Sequence, residues 1–284
     1  MAQDVWLALG AMVCLGLADL VYKRGAAVGV KPHHFLMAQA WCFAPAVVLY
    51  GLVTGTLELK SYMLWGCGAG LFVFIALINF ARSLKTGSVS LIAPIFRLSF
   101  TVTTALAVLI LGEPLTAWKL AGLAAALLAV WLLLGGEPGS ASKPGAIRTA
   151  LIQALVAMAA MGVANFLYKV GAAAGGTPAT FIAGQAAVFF PLSTVYAWIV
   201  DRESRPPRAA WTHAGTTALI FLLGLILLFE SLARGEASVL VPISQMGFVV
   251  TAAYGVLFLR EPFTARKVGG LAFALAALAC LALS

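Results

Sequence analysis

Charge is what this sequence has least of. Asp, Glu, Lys and Arg make up 10% of its 284 residues, against about a quarter in an ordinary soluble domain. With 62% hydrophobic residues and a mean hydropathy of +1.02, a chain in water could not bury its apolar surface, so lipid must serve as the solvent. Catalytic signatures are missing too. No GxxxxGK[ST] segment occurs, which excludes a Walker-type nucleotide loop, and there is no HExxH, GxSxG or metal-ligand spacing to mark an enzyme, a metal or a cofactor. His33, His34 and His213 fall near the ends of apolar runs and read as interfacial. Cys14, Cys42, Cys67 and Cys280 sit inside apolar runs without a CxxC pair and read as small apolar side chains. The excess of eighteen basic over ten acidic residues is scattered between apolar runs, forming no basic stripe, so it does not point to nucleic acid. The first run follows Asp4 without a basic leader segment and is long enough to span, so no cleavable signal peptide is expected.

What the chain has in abundance is apolar runs of about 20 residues, the length a helix needs to cross about 30 Å of hydrocarbon. The first five spans are expected at 5–22, 34–54, 62–84, 89–111 and 117–134, and the second five at 147–168, 178–200, 210–232, 237–259 and 265–283. Backbone groups in lipid must be satisfied internally, so each is a helix and the fold is an all-α integral membrane protein.

A Gly-, Ser- and Pro-rich stretch, GGEPGSASK, sits at mid-chain and reads as a linker, at 137–146, between halves 1–136 and 147–284. The halves repeat one pattern. GLADLVYKRGAA from Gly16 answers GVANFLYKVGAA from Gly162, and LILGEPLTAWKLAGL from Leu109 answers LFLREPFTARKVGGL from Leu257. Glu113 thereby pairs with Glu261, Lys119 with Lys267, and Pro94 with Pro242. Five spans per half is an odd number, so the second half enters the membrane from the opposite side. Two inverted five-helix repeats are a common architecture of secondary transporters.

The five-plus-five layout and the two GEP-T---K--G-like segments resemble the drug/metabolite transporter superfamily, in its ten-helix EamA-type branch, over nearly the whole chain. That branch includes exporters of small metabolites, an aromatic amino-acid exporter among them. The resemblance implies a central cavity lined by spans one to four and six to nine, with spans five and ten as outer supports. It also implies a multi-pass protein of the cell (inner) membrane. Family members usually hold both termini in the cytoplasm. Here four basic residues (Lys60, Lys119, Lys169 and Arg234) flank the face of the termini and thirteen flank the other. By the positive-inside bias, the termini face out.

Arg97 is the sharpest single signal, about nine residues and so about 12 Å into span four. A charge at that depth costs roughly 2.5–3.5 kcal/mol on insertion scales and must meet a cavity or a partner. It reads as a bidentate clamp for a substrate carboxylate or phosphate, or as a structural ion pair. Its repeat mate is Gln245. Asp19, about one turn from the end of span one, reads as a coupling carboxylate, a site for a substrate amine, or a local partner of Lys23. Asn79, Gln39, Gln185, Trp41 and Phe96 are further candidates for substrate contact. Pro94 and Pro242 mark paired helix breaks in matching spans. Tyr22 with Lys23 and Tyr168 with Lys169 are placed at opposite mouths, and Arg82 and Glu230 are candidate gate residues.

The expected function is secondary transport of a small polar or zwitterionic, amino-acid-like metabolite, in the direction of export, by alternating access driven by a gradient. A flippase for a lipid-linked or phosphate-bearing substrate and a non-transporting membrane scaffold are the alternatives. Partners are a small-molecule substrate and membrane lipid, and the sequence leaves monomer and homodimer equally open.

Overall fold

Among the described residues the apolar runs fold into twelve helices making ten membrane spans. The computed structural model describes residues 2–86, 89–134, 144–201, 206–257 and 264–284. The first repeat holds α1 (Ala2–Ala27), α2 (Pro32–Thr54), α3 (Met63–Thr86), α4 (Val89–Arg97), α5 (Ser99–Leu111) and α6 (Ala117–Leu134). The second holds α7 (Pro144–Ala173), α8 (Pro178–Asp201), α9 (Arg208–Arg234), α10 (Ala237–Gln245), α11 (Gly247–Leu257) and α12 (Ala265–Ala282). Six of these are individually long and apolar enough to cross a bilayer, and shorter apolar helices from spans four, five, nine and ten complete the set among the described residues. The fold is thus an all-α membrane protein of two inverted five-helix repeats. Most of the expected linker, residues 137–143, lies outside the described residues; α7 begins within its last part, at Pro144.

Local chemistry sets the ends. Pro32, Pro144 and Pro178 open helices, where the missing N–H would have no partner anyway. Gly55 and Gly112 close α2 and α5 in the left-handed conformation, at φ 64° and 70°.

Spans four and nine are each split. α4 gives way to α5 at Leu98, and α10 to α11 at Met246. Those two residues are repeat mates, each four positions after Pro94 or Pro242. At both, the ladder tightens: Leu98 N–H donates to Ile95 at 3.1 Å and Met246 N–H to Ile243 at 3.1 Å, three residues back instead of four. The side chain of Pro94 lies outside the described residues.

Packing follows the repeat symmetry. α1 lies against α9 as α7 lies against α3, and α2 against α8. The α3–α8 seam is built on glycine: a Cβ at Gly66 would collide with the Phe181 carbonyl, one at Gly70 with the Gln185 carbonyl, and one at Gly184 with the Met63 carbonyl. Small residues of this kind let backbones approach where lipid offers no hydrophobic drive. α6 and α12 pack on each other, Gly122 against Leu281 and Gly270 against Leu133. The shared core centres on the rings of Tyr168, Phe181 and Phe229, with centroids 4.5–6.2 Å apart.

Candidate functional site

Arg97 ends α4 just before the break, and its guanidinium donates to the carboxylate of Asp19 on α1. Among the described residues α1 and α4 share little other contact, so the ion pair is the main link between these two helices. The two side chains keep 21% and 38% of their exposure. α1 runs to Ala27, past the expected end at Tyr22. Asp19 is therefore eight residues from the helix end, about 12 Å by helical rise, deeper than the sequence spacing suggested. Its partner is Arg97, 78 residues away, instead of Lys23 one turn on, which stays exposed.

The other sequence candidates scatter. Gln245 ends α10 beside the second break, half-buried. Phe96 stacks on Phe80 at 4.3 Å. Asn79 donates to the Ile75 carbonyl of its own helix at 2.8 Å, and Gln39 is half-buried in α2. Gln185 accepts from the buried Tyr168 hydroxyl in the core. Trp41 donates to Thr194 at 3.1 Å and lines an open apolar groove at the α2–α8 seam with Pro45 and Phe190. Tyr22 packs edge-on against Phe35. Arg82 lies over the Tyr196 ring at 5.6 Å, whereas Glu230 pairs with Arg234 at 2.6 Å, so the structure does not bring Arg82 and Glu230 together.

The face of the termini is sealed by charge. Glu113, buried just after α5, accepts the N–H of Ala237 and of Ser238 at 2.8 Å each, capping α10 of the other repeat. Lys119, 1% exposed, donates to the Pro114 carbonyl at 2.6 Å and pairs with Glu236. Lys169 reaches the carbonyls of Leu232 at 2.9 Å and Gly235 at 2.5 Å at the end of α9. Thr177 and Thr180 both donate to the Thr56 carbonyl. In the same loop, Glu58 is held below the usual carboxylate range, first by the hydrogen bond it accepts from Lys60 and then by the one it accepts from Tyr62. Glu113, Lys119 and Glu236 form a lock that the sequence reading did not assign. The signal was present, because Glu113 and Lys119 recur as Glu261 and Lys267 in a membrane protein with few charges. Glu261 lies outside the described residues.

On the opposite face, Arg24 of α1 donates to Tyr254 of α11 at 2.7 Å. Here too the structure departs from the expectation of no metal-ligand cluster: among the described residues, His33, His34 and Asp201 converge, their ligand atoms all within 4.8 Å. Sequence spacing could not show this, since the partners lie 168 residues apart.

Comparison with known proteins agrees with the fold. Residues 4–135 and 148–283 match the profile of the EamA-like transporter family. Over 73 residues the chain is 33% identical to an uncharacterised protein of Methanocaldococcus jannaschii, covering 26% of this chain and 53% of that one. The chain thus spans about half the length of that curated relative. A crystal structure described only as that of a protein matches with a TM-score of 0.82 at 18% identity, covering 100% of this chain and 97% of the other. At that identity the likeness is one of fold.

Proposed function

The chain belongs to the EamA-like transporter family, a family of membrane transporters of small molecules, and from that membership we infer that it is a secondary transporter of small zwitterionic, amino-acid-like metabolites. The observation that carries the reading is the Arg97–Asp19 pair between α1 and α4. One cation and one anion, both accessible and with little else joining their helices, match a zwitterion. The substrate carboxylate takes the guanidinium bidentately and its ammonium takes Asp19. Both protein charges then stay compensated throughout. A lone anion would leave Asp19 unpaired in a low-dielectric site, and a lone cation would leave Arg97 unpaired. Gln245, the repeat mate of Arg97, adds a neutral polar group at the second break.

Alternating access follows from the inverted repeats. The lock of Glu113, Lys119 and Glu236 closes the face of the termini, so the Arg97–Asp19 pair is reached from the opposite face. Thirteen of the basic residues flank that opposite face, which supports a cytoplasmic loading side, termini outside the inner membrane, and export as the direction.

Counterflow in proteoliposomes tests this with labelled amino acids, organic anions and organic cations. Zwitterions should exchange with wild-type protein and fail to exchange with Arg97→Gln. Full zwitterion exchange by Arg97→Gln of normal fold would remove the clamp, and exchange of anions alone would remove the zwitterion.

A further inference from the structure

α2 begins, and α8 ends, on the face opposite the termini. The first turn of α2 carries His33 and His34, and the last residue of α8 is Asp201. The geometry points to a binding site for a divalent transition metal of the zinc class, formed by His33, His34 and Asp201 between the two repeats. Two imidazoles and one carboxylate are the donor set of three-ligand zinc sites, with a fourth position left for water.

His33 Nε2 and His34 Nε2 stand 2.9 and 3.3 Å from the same oxygen, Asp201 Oδ2. Ligand atoms about 2.0–2.2 Å from a tetrahedral zinc are about 3.4 Å from each other. All three ligand atoms lie within 4.8 Å of one another, so side-chain rotations that draw the widest pair together by up to about 1.4 Å close the triad on an ion. Its side chains are largely withdrawn from solvent, at 11%, 9% and 20% exposure.

One cation already competes for the position. Lys31 Nζ lies 2.7 Å from the same Oδ2, on a side chain that is 58% exposed. An exposed ammonium gives up such a contact at little cost, so Lys31 can yield Asp201 to a divalent ion. Because α2 belongs to the first repeat and α8 to the second, a bound ion cross-links the two halves at this mouth, independently of any substrate at the Arg97–Asp19 pair.

The test uses tag-free, full-length protein in detergent, stripped with chelator and titrated with Co2+ while its visible absorption is recorded. Saturable absorption that Zn2+ displaces and Mg2+ does not is expected. His33→Ala, His34→Ala and Asp201→Asn should each weaken it by more than about tenfold, since even groups behind the ligands are worth about 10–100-fold. Lys31→Ala should tighten it. Each variant is compared only after its metal-free melting curve matches wild type. No saturable absorption in wild type, or equal binding in all three ligand variants, would overturn the site and leave an ion-pair cluster alone. Weaker binding in Lys31→Ala would overturn the competition with Lys31.

Discussion

Glu113 of the first repeat caps Ala237 of the second. Its carboxylate accepts the Ala237 and Ser238 amides at 2.8 Å each, at the N-terminus of α10. Two of the orphan donors of that helix, and its positive dipole end, are satisfied from across the repeat boundary. The seal on the face of the termini therefore depends on a side chain from the α5–α6 connection of the other half.

Glu113→Ala should loosen that seal. Losing a cap costs about 0.5–2 kcal/mol, so the melting temperature in detergent should fall. A cysteine at the buried Val239, in a background without the four native cysteines, should react faster with an impermeant thiol reagent. Unchanged reactivity would show that α10 is held by other contacts.

Arg97 and Asp19 should couple in a double-mutant cycle. Asp19→Asn alone leaves a cation without its partner, and Arg97→Gln alone leaves an anion without its partner. Each should cost about 1–2 kcal/mol, below the roughly 3–5 kcal/mol of a fully buried pair, because both groups keep some exposure. The double variant should recover most of that stability without recovering transport. Additive losses in chemical denaturation would mean the pair carries no coupling.

Gly66→Ala should be among the most disruptive one-methyl changes in the chain. The new Cβ meets the Phe181 backbone carbonyl on α8, which cannot rotate aside. Overpacking of this kind costs about 1–3 kcal/mol. Gly215→Ala, whose Cβ would lie 3.6 Å from Cys42 Sγ, is the contrast and should be nearly neutral in the same thermal assay.

The Glu58 loop should weaken in acid. Its carboxyl lies below the ordinary value of 4.5 because Lys60 and then Tyr62 bond to the ionised form. The unfolded state therefore binds the proton first. The stabilising effect is complete above the ordinary value and is lost as pH falls through the lowered one. Lys60→Ala should move the titration of Glu58 up toward its ordinary value in carboxyl-resolved NMR. A titration that does not move would assign the shift to Tyr62.

Much of the architecture was legible because a bilayer imposes one length on every span. The runs from Val5 to Leu134 and from Ile147 to Leu283 had to be helices, and their repeated segments had to be inverted once each half held an odd number. Pro94 and Pro242 each lie four residues before a split, at Leu98 and Met246, where the backbone ladder tightens to a three-residue step. Asp19 was read too near its helix end, since Tyr22–Arg24 looks like a boundary in hydropathy but continues as helix to Ala27.

By itself, then, the sequence determined the membrane environment, the helical spans, the repeat and the unusual depth of Arg97, all of which follow from apolar run length and the cost of a charge in lipid. Only the tertiary structure decided which groups meet. Arg97 finds Asp19, Glu113 finds α10, and His33 and His34 find Asp201, each partner supplied by another helix more than seventy residues away. Which charge compensates which depends on how the two repeats dock, and the spacing of residues along one chain holds no record of that.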